Sequence, residues 1–174
     1  MLLVGGMLLA ALVQSTVLEI MPLAWSQPDV VAVLVFSWAS LKGRMSGLRS
    51  ALLGGLIVDA LGSNPPGLTV LALLPGAYLA GWLCEQLPEP VFALNVLTVI
   101  VGSALSSFGQ AAGLAEIGGL LTWQPLILRV ELPSAVTNGL LSVLLLPPLH
   151  RIAEGEEREP AAFLRRTLPG RLWR

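Results

Sequence analysis

The chain has 174 residues, of which 55% are hydrophobic and only 12% charged, with a formal net charge of −1. So few charged side chains cannot cover the outside of a water-soluble domain, and a mean hydropathy of +0.78 points the same way. The near-neutral balance argues against a nucleic-acid partner, and the single cysteine, Cys84, leaves no disulfide framework or cysteine metal site.

Six apolar runs can be cut out, at roughly 2–20, 23–41, 47–63, 67–84, 90–115 and 125–149. The length fits about six spans of ~20 residues with short connections. The first run lacks a basic leader and a small-residue cleavage site, so it reads as a retained span and not a signal peptide. It carries Gly6, Ala10 and Gln14 at helical spacing. The second follows Pro28-Asp29 and ends in the turn Lys42-Gly43-Arg44. The third has Gly47, Ala51, Gly55 and Asp59 in one stripe, before the break Ser63-Asn64-Pro65-Pro66-Gly67.

The fourth run aligns Ala72, Gly76, Ala80 and Cys84 and contains Pro75. The fifth sets Asn95, Gly102, Ser106, Gly109 and Gly113 on roughly one face. The sixth is interrupted by Arg129, Glu131 and Pro133, and places Glu131, Ser134, Asn138 and Ser142 together. Small residues at i, i+4 let neighbouring backbones approach where lipid supplies no hydrophobic drive, so a compact bundle is expected. Pro75 and Pro133 are expected to kink their helices, and Pro147-Pro148 to end the sixth span. The expected organisation is a six-span transmembrane domain over residues 1–150 and a basic, amphipathic cytoplasmic tail over 151–174. A five-span count is the alternative.

Cation placement favours six. Lys42, Arg44, Arg49, Arg151, Arg158, Arg165, Arg166, Arg171 and Arg174 all fall on one side if both termini are cytoplasmic, while the 64–66 and 116–124 breaks hold no Lys or Arg. This is the positive-inside pattern. The tail, with Phe163, Leu164, Leu168, Leu172 and Trp173 among its charges, either lies along an anionic inner leaflet or is disordered.

Asp59, Arg129 and Glu131 are the costly residues. A charge deep in a span costs roughly 2.5–3.5 kcal/mol on insertion scales, so each should face protein or water. Their matched depths allow an Asp59–Arg129 ion pair between the third and sixth runs, with Glu131 or Asn138 nearby. Alternatively Asp59 caps or ends its helix at the surface, or takes part in a proton or ion relay. His150 reads as an interfacial residue. No phosphate-binding loop, serine-hydrolase elbow or zinc-protease motif occurs, and no metal-ligand spacing. A non-enzymatic protein with no cofactor is therefore expected.

The order Pro28-Asp29, Gly55-x-x-x-Asp59, Pro65-Pro66-Gly67-Leu68 and the late Asn138-Gly139-Leu140-Leu141 resembles MreD, the rod shape-determining inner-membrane family of bacteria. The resemblance covers about residues 8 to 152. It implies an all-α, six-helix membrane fold similar to the substrate-binding subunits of energy-coupling-factor transporters. It also implies a scaffold that binds an MreC-like single-span partner and helps couple the cytoskeleton to peptidoglycan synthesis by RodA and its penicillin-binding transpeptidase. Asp29, Gly55, Asp59, Pro66, Gly67, Arg129, Glu131 and Asn138 are the structural or partner candidates. The rival expectation is a vitamin-type substrate-binding subunit of an importer. The 116–124 break, with Trp123, and the Asp59–Pro66 turn are candidate partner contacts. Trp123 and Trp25 otherwise read as aromatic-belt residues.

Overall fold

A computed structural model describes residues 2–14, 16, 28–62, 65–86, 92–118 and 132–167, and every element in them is helical. Among the described residues there are six helices: α1 (Leu2–Val13), α2 (Val30–Lys42), α3 (Arg44–Leu61), α4 (Leu68–Glu85), α5 (Phe92–Gly118) and α6 (Leu132–Thr167). Each lies within or across one of the six apolar runs. Two of them, α4 and α5 up to Leu114, are long and apolar enough to cross a membrane.

The short helix is the central one. α2 has 13 residues, about 20 Å at 1.5 Å per residue, and nine of them are buried. It packs against all five other helices. A helix apolar all round must be surrounded by other helices, and Val31, Val33, Val35 and Phe36 are completely covered. The surrounding helices show the reverse pattern. Leu9, Leu52, Leu71, Leu97, Leu140 and Leu144 stand on their outer faces, each close to half exposed or more.

Small residues set the spacing, as their stripes predict. Gly47, Ala51, Gly55 and Asp59 are all buried along α3, and Ala72, Gly76 and Ala80 along α4. A Cβ added to Gly55 would stand 2.7 Å from Val70 Cα, so the α3 and α4 backbones meet there. Gly76 and Gly102 make room for the Phe36 ring between α4 and α5. In α1, by contrast, Ala10 is buried but Gly6 faces open space.

Two connections depart from ordinary loops. Gly43 alone joins α2 to α3, at φ 81° and ψ 175°, a backbone conformation that L side chains avoid. Pro147-Pro148 does not end the last helix as expected, since α6 runs on to Thr167. Each proline deletes one backbone hydrogen bond, yet proline φ suits a helix. The track beyond is held from α2: Leu149 and Ala153 bury against Trp38, and Lys42 Nζ donates to the Ala153 carbonyl at 2.7 Å. The expected boundary at residue 150 therefore lies inside a continuous helix.

Candidate functional site

Consecutive helices reverse direction from α2 to α4, so the start of α2, the end of α3 and the start of α4 share one end of the bundle. The end of α1 and Asn138 of α6 meet them there. The candidates Asp29, Asp59, Gly67 and Asn138 are gathered at this end, and they join in two pairs.

The first pair is at α2. Asp29 is its N-cap, and Oδ1 accepts from Ala32 N–H at 2.9 Å. Such a cap answers one of the four amide donors a helix start leaves open. The Asp29 N–H itself donates to Asn138 Oδ1 at 2.8 Å, which ties α6 to the same point. Gln14, at the end of α1, completes the junction. Its Oε1 accepts from Val31 N–H at 3.3 Å. Three helices thus meet at the first turn of α2.

The second pair joins α3 to α4. Asp59, in the last turn of α3 and only 9% exposed, accepts from Gly67 N–H through Oδ2 at 2.8 Å and from Thr69 N–H through Oδ1 at 3.2 Å. Gly67, the N-cap of α4, sits at φ 89° and has no side chain with which to cap the helix itself. Asp59 supplies the cap from the preceding helix. Asp59 lies in the last turn of its own helix, but it is buried and caps the next helix, which differs from the expected cap of its own helix at the surface. Arg129 and Glu131 lie outside the described residues, as do Trp25 and Trp123, so the ion pair and the aromatic belt are not placed.

The opposite end carries the cations. Lys42, Arg44, Arg49 and Arg151 are there, with Arg44 Nε 3.1 Å from Glu85 Oε2. Glu85 Oε1 also accepts from Arg44 N–H at 2.9 Å. Glu85 ends α4 and caps the start of α3, just as Asp59 ends α3 and caps α4. The α3–α4 hairpin is therefore closed at both ends by an exchange of carboxylates. Each answers backbone donors and the positive end of a helix dipole.

Between the ends lies a neutral polar seam. Asn95 Nδ2 of α5 donates to Ser40 Oγ of α2, and the Cys84 thiol of α4 donates to the Ser40 carbonyl. Ser40, Thr98, Ser106 and Ser142 return their hydroxyls to their own helices. Among the described residues, the oxygens of Ser37, Ser103 and Thr69 side chains and Asn95 Oδ1 are buried without partners. No group of three or more His, Cys, Asp and Glu could hold a metal ion among those residues.

A groove of about 420 Å³ runs along the outside of α3 and α4 toward the capped end, lined by Leu52, Leu56, Pro65, Pro66, Gly67, Leu68, Val70 and Leu71. Its Gly67 N–H is held by Asp59 and its Leu68 N–H by the Pro65 carbonyl at 3.2 Å.

Comparison with known protein families, curated proteins and solved structures finds no match to this chain. Sequence reading found Asp29, Asp59 and Asn138. It did not find Glu85, Lys42 and Thr69 as structural partners, because Lys42 and Thr69 work through main-chain groups that have no residue signature and Glu85 meets Arg44 from 41 residues away.

Proposed function

We propose that this chain is a six-span bacterial inner-membrane protein and a non-enzymatic scaffold of the MreD type. In this reading it binds an MreC-like single-span partner and helps couple the cytoskeleton to peptidoglycan synthesis by RodA and its transpeptidase. One observation carries the proposal. The four short motifs that resemble the family are mutual partners: Pro28-Asp29 with Asn138, and Gly55-x-x-x-Asp59 with Gly67-Leu68. Such pairing gives a structural reason for these residues to occur together in one chain.

Two further features support the membrane part. Large apolar side chains face outward on the five helices around α2, which in water would make an aggregating surface. Lys42, Arg44, Arg49 and Arg151 stand at one end, and the capping residues Asp29 and Asp59 at the other. Under the positive-inside rule this supports a cytoplasmic Lys42 end and an outer Asp29 end. The rival importer reading draws no help from the α3–α4 groove, whose lining is apolar and whose backbone donors Gly67 and Leu68 are engaged. A vitamin-sized ligand needs some convergent polar groups.

Affinity purification from native membranes in mild detergent, with mass spectrometry of proteins and small molecules, tests the proposal. Recovery of a single-span coiled-coil partner and peptidoglycan synthases is expected. Recovery of transporter ATPase subunits or a stoichiometric metabolite overturns it.

A further inference from the structure

We propose that Arg49 and the groove between α3 and α4 form a seat for one anionic phospholipid of the cytoplasmic leaflet. Of Lys42, Arg44, Arg49 and Arg151 at the cationic end, the first two are engaged, Lys42 with the Ala153 carbonyl and Arg44 with Glu85. Arg49 is exposed and makes no hydrogen bond or ion pair among the described residues. It stands more than a turn inside α3, on the face that also bears Leu52, Leu53 and Leu56, all exposed. A guanidinium beside leucines that face lipid needs an anion or water to answer it. Side chains lean toward the start of their helix, and α3 starts at the cytoplasmic end. Arg49 therefore reaches back toward the headgroups of that leaflet.

The groove begins where Arg49 leaves off. Leu52 and Leu56, three and seven residues further along the same face, form its α3 wall. Val70 and Leu71 of α4 also line it, and Pro66 stands at its far end. From Arg49 to Asp59, α3 rises about 15 Å at 1.5 Å per residue, roughly half of a ~30 Å hydrocarbon core. An acyl chain that starts at Arg49 runs the groove from end to end. The two parts of the lipid are matched separately. A guanidinium takes a phosphate bidentately, and the apolar groove takes the chain, its Gly67 and Leu68 N–H groups being already answered. Phosphates stand at this depth in the leaflet itself. A protein segment in the groove would need a costly carboxylate inside its own span to answer Arg49. The proposal rests on the membrane reading and its orientation, and not on the scaffold role.

Native mass spectrometry tests it, on the protein released from nanodiscs of phosphatidylglycerol and phosphatidylethanolamine in equal parts. The wild-type protein should keep phosphatidylglycerol in preference. Arg49→Gln should lower the retained ratio about five-fold, the factor for one cation at an anionic leaflet. Arg151→Gln removes an exposed cation away from the groove and should change the ratio far less. Leu52→Trp fills the groove, keeps the charge and should reduce retention of both lipids. An unchanged ratio in Arg49→Gln overturns the seat. So does an equal fall in Arg151→Gln, which would mean diffuse attraction to the whole cationic end, and so does undiminished retention in Leu52→Trp. In a Cys84→Ser background, a photoreactive group carried on Leu56→Cys should form adducts with phospholipid in native membranes. An adduct with a protein segment in their place overturns the proposal. Resistance of the wild-type protein to carbonate extraction separates the two readings. Its loss rejects the membrane reading and the seat with it, whereas a resistant protein with an unchanged ratio rejects the seat alone.

Discussion

Asp59 is a charge whose cost is met by backbone. Both of its oxygens accept from amides of the next helix, so the residue serves as a cap in trans. Asp59→Ala should leave Gly67 and Thr69 N–H groups buried and unanswered, at about 1–3 kcal/mol. Asp59→Asn keeps one acceptor and should cost less. Thermal unfolding in detergent checks the order, and equal loss in both variants would mean the charge itself is what matters. At the other end of the hairpin, Glu85→Gln keeps an acceptor for Arg44 N–H and loses an exposed ion pair. It should cost under about 1 kcal/mol. Gly55→Leu should be the most damaging of the set, because the added side chain meets Val70 main chain and not a movable side chain.

At the scale of elements, the sequence was informative about the positions of the described helices and about buried faces. Apolar runs and small-residue stripes are local patterns, and they placed α3 and α4 correctly to within about three residues. The interlocking of the helices was not legible. Asn138 answers Asp29 N–H, and Lys42 answers the Ala153 carbonyl. A bond from a side chain to a main-chain group leaves no complementary residue type to find. The continuation of α6 was hidden for a different reason. The local rule for consecutive prolines is outweighed by burial of Leu149 and Ala153 on Trp38, which is 111 residues from Leu149. Asn138→Leu should strand the Asp29 N–H and weaken the α2–α6 junction by about 1–3 kcal/mol. Hydrogen exchange should then rise at the start of α2 and in α6 first. Unchanged exchange at both would show that Asn138 does not hold them.

The whole molecule has two chemically distinct ends. One holds Asp29 and Asp59, committed to the starts of α2 and α4, and the other holds Lys42, Arg44, Arg49 and Arg151, with Glu85 paired to Arg44. This polarity gives an orientation that can be measured. In the Cys84→Ser background, Pro66→Cys should react with a membrane-impermeant maleimide from outside the cell, and Arg49→Cys only after the inner face is opened. Labelling of both from the same side would reject the six-span arrangement. The cation pattern along the chain already contained this asymmetry. What it lacked was the reason Asp29 and Asp59 lie opposite, which is that α2 and α4 both begin there.

The single-residue joint at Gly43 has a consequence for what the chain can tolerate. With no slack between α2 and α3, chain length there acts like the mesh of two gears. One inserted residue advances α3 by about 100° of rotation, which would carry Asp59 away from Gly67 and turn Gly55 off Val70 together. The stretch from Gly62 to Gly67 separates its helices by several residues and can absorb an added one as slack. Length variation in this protein should therefore be confined to the far end of α3, and a linker or tag placed at Gly43 would uncouple the whole hairpin from the core at a stroke.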